Sequence, residues 1–512
     1  MALVLVLISV GVYYGFIEHD GVLPSIFLTM HTRNKNNNEG LKVKQKTLTK
    51  NRFILAMLLG GTMLTSTACA ATNQANYDSE YMPTQGRVIE SADEFAVLQH
   101  RDRIAPENAM LEERLHTLLP QLMAEADLDM WLVINREYAE DPVYFSLVPQ
   151  PTFAARRTTM LVFNKLDDGS VERLSVNTYP LGGPYESAWS GGDLDEQWAA
   201  LAALIVEKNP ARIGINVSKH WPEADGLTRG MHDRLTEVLP STLQNRLVPA
   251  EDLVVRWLET RTEAELDVFA HAVGLARGVI AEAFSARVIT PGATTTTDVE
   301  WFLRQRFEDL SLPIWFMPYV TFQREGMECA PETPFCSSGS GVIQRGDVVH
   351  TDVGICYLKM CTDTQEMAYV LKRDEDDVPQ GLKDALLTGN RWQDILTDNF
   401  VTGRTGNEIL AATRAESERQ GIVSSTYTHP IGFFGHAPGP TIGMWDNQGE
   451  TAVNGDWPLY PNTAYAIEGN IKQPLPEWGG QTIQIMLEQS AYFDGERVIY
   501  LAGRKTKWHL IR

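Results

Sequence analysis

The sequence predicts two globular lobes behind a basic leader: an α/β domain first, then a second domain that mixes helices with strands. Three observations predict this. At 512 residues the chain is longer than one hydrophobic core ordinarily serves. Between residues 108 and 217 the apolar spacing switches repeatedly between the helical and the strand period. After residues 255–261, Thr262 and Glu265 form the residue pair of a capping box, which opens a new long helix. Composition then removes several classes of function. With 44% hydrophobic and 21% charged residues the chain has the apolar content to offset ordering entropy, so wholesale disorder is excluded. A formal net charge of -22 leaves no basic face for phosphates, which excludes nucleic acid as a partner and an anionic membrane surface with it. Five cysteines without a CxxC pair make neither a disulfide scaffold nor a zinc ribbon.

Residues 1–70 are expected to be a leader containing a secretory signal peptide. They carry seven Lys/Arg against three Asp/Glu, so the body is more acidic than the chain as a whole. Lys42, Lys44, Lys46, Lys50 and Arg52 precede an apolar stretch at 53–64, and Thr67-Ala68-Cys69-Ala70 follows, so that 53–70 has the order of a signal core and its cleavage region. The apolar stretch falls short of the roughly 20 residues a membrane span needs. Cleavage after Ala70 is expected, with a lipid anchor at Cys69 as the alternative. Either outcome exports the protein to the periplasm or the extracellular space. A further apolar stretch at 2–17 precedes this complete signal, so translation is expected to begin near Met30, a short membrane anchor being the alternative.

The N-terminal domain is expected over 71–258. Met110, Leu111, Leu115, Leu118, Leu119 and Leu122 recur at helical spacing, and the run 130–135 (MWLVIN) reads as a buried strand. Residues 158–164, 173–178 and 212–217 read as further strands, and 194–208 as an amphipathic helix stopped by Asn209-Pro210. The second domain, 259–512, opens with a helix carrying Leu266, Phe269, Val273 and Leu275 on one face. A helix over 298–310 and strands around Val348 and Tyr369 follow.

The segment from Arg345 to Asp363 (RGDVVHTDVGICYLKMCTD) reads as a tight hairpin turning near Tyr357-Leu358, which sets Asp352 opposite Asp363. Two adjacent carboxylates raise a pKa unless a cation lies between them, so the pair asks for a metal or a shared proton. His429 and His436 follow in HPIGFFGH, and Glu468 and Glu488 sit in apolar strand-like runs where an unpaired carboxylate is costly. Two aspartates on a hairpin are ordinarily a solvated turn; the five-residue order is what points to a metal site. His350, two residues before Asp352 on the same strand face, is placed to support a ligand, while His271, Met360 and Met486 read as packing or surface residues. In the simple hairpin register Cys356 and Cys361 lie diagonally, about 7 Å or more apart, too far for a bridge. Cys329 and Cys336 share a short loop with Pro331 and Pro334 and are candidates to pair. No G-x-S-x-G elbow or H-E-x-x-H helix occurs, so serine hydrolysis and zincin chemistry have no support.

The order Asp352, Asp363, His429, Glu468, Glu488, with His436 seven residues past His429, resembles the pita-bread metallopeptidases of the Xaa-Pro aminopeptidase and prolidase family. The resemblance covers about 260–512, and the preceding lobe is similar in size and pattern to the family's creatinase-type N-terminal domain. It implies an α/β N-terminal domain followed by an α+β pita-bread (creatinase/aminopeptidase) catalytic domain. It also implies that Asp363 and Glu488 bridge two divalent ions, that Asp352 chelates one, and that His429 and Glu468 bind the other. Four carboxylates bring four negative charges, which two divalent ions cancel. An oxygen-rich set with one imidazole suits manganese, with Co²⁺, Fe²⁺ or Zn²⁺ as alternatives. As catalytic residues the resemblance implies Glu468, relaying the proton of the attacking water, and His436, hydrogen-bonding the substrate carbonyl or oxyanion. A short peptide with proline beside the scissile bond is the implied substrate, and a homo-oligomer the implied assembly.

Three departures bear on substrate preference. No histidine occurs between Trp301 and Val349, where the family has one; residues 331–335 fill that position. Met486 stands where the family has an arginine before the last glutamate, and Thr364-Gln365-Glu366 replaces its Thr-Arg pair. The expected function is an exported dinuclear metal-dependent peptidase. The alternatives are a metal-independent hydrolase on the same fold and a catalytically silent peptide-binding protein, the latter motivated by the missing histidine and arginine.

Overall fold

Met130–Arg136 is buried along nearly its whole length and forms β1, a middle strand of a six-stranded sheet. A computed structural model of the chain describes residues 88–512 apart from 328, 330–334 and 337; the expected leader and Cys69 lie outside the described residues. The other strands of this sheet are β2 (Thr158–Lys165), β3 (Val171–Asn177), β4 (Glu186–Ser187), β5 (Ile213–Ile215) and β6 (Leu247–Pro249), in the order β4-β3-β2-β1-β5-β6. β1 runs antiparallel to β2 and parallel to β5, so the sheet is mixed. Both faces are covered, which is why its central strands are continuously apolar. Met130, Leu132 and Ile134 meet Trp198, Leu201 and Ile205 of the helix Leu194–Lys208. Trp131 and Val133 meet Leu115, Leu119 and Leu122 on the other side. The helix Leu194–Lys208 has the bounds read from the sequence, because Asp193 and Glu196 close a capping box and Asn209 ends it at a left-handed φ of 49°. The helical stretch read from Met110 to Leu122 starts earlier, at His100, and passes through a π turn at Arg114–Leu118.

The second sheet, of nine strands, draws on β7 (Tyr319–Gln323), β8 (Val348–Val353), β11 (Thr364–Val370), β12 (Val423–Thr426), β13 (His429–Pro430), β14 (Thr463–Leu475), β15 (Gln481–Phe493), β16 (Val498–Tyr500) and β17 (His509–Ile511), and between β8 and β11 the chain forms a separate two-stranded ribbon of β9 (Cys356–Tyr357) and β10 (Met360–Cys361). Its main path is β12-β14-β15-β11-β8-β7. Two helix pairs cover it. Glu263–Ala283 and Thr296–Asp309 bury Val279, Ile280, Leu303 and Phe307 against Val349 and Val353. Gln380–Thr397 and Gly406–Arg419 bury Trp392, Leu396 and Ile409 against Ile467, Ile485 and Leu487. The sequence expectations lack this second pair; in its first helix Gly381 and Gly389 interrupt the apolar stripe. Gly389 is pressed on the sheet, where a Cβ would lie 2.8 Å from Leu487. The result is the α/β lobe followed by an α+β pita-bread lobe that the resemblance implied.

Arg114 joins the lobes. It is fully buried, donates to Thr260 O at 2.8 Å and to the Glu265 carboxylate at 3.0 and 3.1 Å, and lies 4.2 Å over the Trp257 ring. A buried charge with this many partners is tolerated; stripped of Glu265 it would be strongly destabilising. Among the described residues no helix is long and apolar enough to cross a membrane.

Two expectations about the hairpin are corrected. The β8/β11 ladder sets Asp352 opposite Gln365 rather than Asp363. The same register sets Cys356 opposite Cys361, with Cα atoms 4.0 Å apart, and the two form a disulfide. The turn fixes this register. It consists of Leu358 and Lys359, both left-handed at φ 48° and 68°, a conformation that neither residue type advertises. Lys359 is held there by donating through Nζ to Phe145 O and Val148 O of the first lobe, at 2.8 and 3.3 Å. Cys329 and Cys336 also form a disulfide, as their loop spacing allowed. Peptide mapping without reduction is therefore expected to recover Cys329 linked to Cys336 and Cys356 linked to Cys361; free Cys356 and Cys361 thiols in oxidised protein would contradict the hairpin register.

Candidate metal centre

β14 and β15 pair over their full length with Glu468 directly opposite Glu488. The two-residue period of a strand sends Ile467, Ile485 and Leu487 toward the helices and Glu468, Glu488, Gln484 and Met486 to the other face. β8 delivers His350 and Asp352 to that face. Asp363 stands at the entry to β11, and His429 opens β13 opposite Ala466.

The structure brings all five expected ligands together. Oxygens of Asp352, Asp363 and Glu488 lie within 4.8 Å of one another, and so do single atoms of His429, Glu468 and Glu488. His429 Nε2 is 3.6 Å from Asp363 Oδ2, 3.6 Å from Glu468 Oε2 and 3.9 Å from Glu488 Oε1. His436 joins Asp363 and His429 in a third such group, and the two imidazoles meet edge to face with centroids 4.5 Å apart.

Burial and mutual repulsion set the protonation of this cluster. Asp352, Asp363 and Glu488 are pushed well above the usual carboxyl range, first by burial and then by the neighbouring carboxylates. Burial raises Glu468 to about 8 and lowers His429 and His436 to about 4. His429 Nδ1 lies 3.0 Å from Pro430 O, so the ring donates there and turns the Nε2 lone pair toward the carboxylates. Asp352 Oδ1, Asp363 Oδ1, both Glu488 oxygens and His429 Nε2 are buried without a hydrogen-bond partner. Buried polar atoms nearly always have partners, so this many orphaned acceptors in one place fit a set of cation ligands. Oxygens with one imidazole suit a divalent transition ion.

Three supporting residues surround the cluster. Gln365 donates through Nε2 to Glu468 Oε1, and its Oε1 lies 2.9 Å from His350 Nε2. His350 thus takes the supporting place read for it, by way of a glutamine that the sequence showed only as a departure. Trp315 donates to Thr362 O at 2.9 Å and packs edge to face on His436 with centroids 5.0 Å apart. Gly354 and Gly435 make room for that indole: a Cβ at either would lie 2.0 Å from it. No local signal marks Trp315, which sits in the loop before β7. His271 stands elsewhere, on Ala96 O and beside Phe95 and Tyr357, and Met360 packs with Phe269 and Ile431. A cavity of about 770 Å³ opens on the cluster, with Met486 in its wall and Trp221 and Glu223 contributed by the first lobe.

Residues 268–488 match Metallopeptidase family M24. Comparison with curated proteins gives no match. Among solved structures the chain is similar to an X-Pro aminopeptidase from Thermotoga maritima, at 16% identity and a TM-score of 0.55, over 76% of this chain and 99% of that one. It is similar also to an Xaa-Pro dipeptidase from Bacillus anthracis, at 18% and 0.52, over 78% and 99%, and to a dipeptidase from Mycobacterium ulcerans, at 19% and 0.51, over 79% and 98%. At these identities the structural likeness is one of fold, and it spans both lobes. Sheet and sequence match agree: residues 268–488 carry a metallopeptidase family M24 domain, and the fold is a pita-bread catalytic domain behind an α/β N-terminal domain.

Proposed function

We propose that the chain is an exported dinuclear metallopeptidase that hydrolyses short peptides, an Xaa-Pro aminopeptidase or prolidase-like enzyme. The observation that carries this reading is the set of orphaned buried acceptors beside a cavity of short-peptide size. Asp352, Asp363 and Glu488 would hold one ion and His429, Glu468 and Glu488 the other, with Asp363 near enough to His429 to serve both. When bound, such ions polarise the scissile carbonyl and acidify water at neutral pH. Glu468, steadied by Gln365, accepts the proton of the attacking water and returns it to the leaving amine. His436 is neutral at pH 7 and donates an N–H to the developing oxyanion, in an orientation fixed by Trp315. The X-Pro and Xaa-Pro activities of the Thermotoga maritima and Bacillus anthracis proteins support proline beside the scissile bond. Both disulfides support an oxidising compartment.

On Xaa-Pro dipeptides and Xaa-Pro-initiated tripeptides, Asp363→Ala and Glu488→Ala are expected to abolish turnover, and chelation to do the same until Mn²⁺ or Co²⁺ is returned. His436→Ala should lose about 10² in kcat while elemental analysis still finds full metal. Turnover by stripped protein would refute the metallopeptidase reading.

Stability should report the carboxylates independently of activity. Without metal, the raised carboxyls, with Glu468 moved from 4.5 to about 8, bind more protons in the folded chain than in the unfolded one, while His429 and His436, lowered from 6.5 to about 4, act in the opposite sense below 6.5. Stability therefore falls as pH rises from about 6.5 to about 8, where the histidines no longer oppose it, and a divalent ion in place of the protons removes the fall. Tm of stripped protein is expected to drop over this range, with Mn²⁺ raising Tm more at the alkaline end; a flat profile would contradict the cluster's electrostatics.

Sequencing the mature amino terminus tests export. A first residue at 71, or a lipidated Cys69, is expected; a mature chain retaining 53–64 would exclude this route.

A further inference from the structure

The exposed end of the cavity carries large apolar side chains that the chemistry above does not use. Tyr319, Phe335, Met444 and Trp445 all line it, with 53%, 41%, 39% and 54% of their surface exposed. Single exposed apolar residues are ordinary on a protein surface, but four on one cavity form a patch that water solvates poorly and a ligand can cover. Their arrangement is specific. The Phe335 ring stacks on Trp445 with centroids 5.9 Å apart and planes at 29°, and it meets Tyr427 edge to face at 6.0 Å and 74°. Tyr427 stands two residues before His429, so one ring of the group adjoins the metal cluster.

Phe335 is held by its neighbour in the chain. Cys336 is 6% exposed, is bonded to Cys329, and donates its backbone N–H to Gln484 Oε1 at 2.7 Å. Gln484 exchanges further hydrogen bonds with Gln323, at 2.8 and 2.9 Å. It also shares β15 and a strand face with Glu488, so the anchor of the aromatic group and a metal-cluster carboxylate ride on one rigid element.

We propose that Phe335, Tyr427 and Trp445 form an aromatic subsite that takes a large apolar, preferably aromatic, side chain of the peptide, and that the Cys329–Cys336 bridge is its positioning element. The proposal rests on the peptidase reading for its substrate class and adds the side-chain preference. Phe335 and Trp445 are the residues to vary, since their exposure makes a folding defect small. Circular dichroism checks that it is.

The experiment uses metal-loaded mature protein and two peptide pairs, Phe-Pro against Ala-Pro and Ala-Pro-Phe against Ala-Pro-Ala, so that the apolar side chain is read on either side of the proline. The phenylalanine member of one pair is expected to exceed its partner about tenfold in kcat/KM, mainly through KM. Phe335→Ala and Trp445→Ala should each cut that ratio about fivefold, while Phe335→Tyr, which keeps the ring, retains it. The double variant Cys329→Ser with Cys336→Ser should lower the ratio as well. Equal rates for both members of both pairs, or a preference that survives Phe335→Ala and Trp445→Ala, overturns the proposal. Absence of turnover on all four peptides defeats the peptidase reading instead. Calorimetric titration with the same peptides then decides the subsite: tighter binding of a phenylalanine peptide that Phe335→Ala removes supports it, and equal binding overturns it.

Discussion

Four carboxylates crowd around the His429 imidazole on one face of a sheet, and the catalytic lobe is arranged to withstand that repulsion. Like charges directly opposite each other weaken a strand pair, yet Glu468 faces Glu488 near the middle of the longest ladder in the structure. The ladder holds because its opposite face is packed, with Ile467, Ile485 and Leu487 on Trp392 and Leu396, and the one glutamine opposite Ile467, Gln489, accepts from Gln393. The strain then has two outlets. Either protons stay on carboxyls whose pKa values are raised, or divalent cations replace them, and only the second leaves Glu468 free as a base at neutral pH.

Much of this was legible because the signals were local or chemically incongruous. A carboxylate inside AIEG or IMLE has no cheap explanation in an ordinary strand, which is why Glu468 and Glu488 stood out beside Asp352, Asp363 and His429. The helix Leu194–Lys208 was legible to the residue because both of its stops are side chains within it or next to it. What escaped depended on partners distant in the chain. The hairpin register turns on two left-handed residues, Leu358 and Lys359, whose conformation is secured by carbonyls of the first lobe, so the simple register misplaced Asp363 and the Cys356–Cys361 bridge alike. Gln365 looked like a loss; its meaning comes from lying between Asp352 on β8 and Glu488 on β15. Trp315 reaches His436 only through gaps left by Gly354 and Gly435, which no spacing along the chain reveals.

The departures at Gln365 and Met486 alter the electrostatics more than the geometry. A guanidinium at either place would offset part of the carboxylate charge whether or not metal was bound. Gln365 instead donates a neutral hydrogen bond to Glu468, and Met486 presents thioether to the cavity wall. The cluster accordingly depends more fully on bound cations for its neutralisation, while the cavity around it becomes more apolar. Both consequences follow from the same two residues.

The first lobe takes part in this arrangement rather than standing beside it. It supplies Trp221 and Glu223 to the cavity, and its carbonyls at Phe145 and Val148 hold Lys359 at the tip of the hairpin. That hairpin carries Asp352 just before one arm and Asp363 just after the other, with the Cys356–Cys361 bridge closing it between them. A short ribbon fixed at its tip by another lobe, stapled across its middle and paired into a sheet at its base has little freedom to splay. The separation of Asp352 from Asp363 is therefore set by contacts on three sides. A pair of buried carboxylates can be kept at metal-binding distance against their own repulsion only where the backbone beneath them is over-determined in this way.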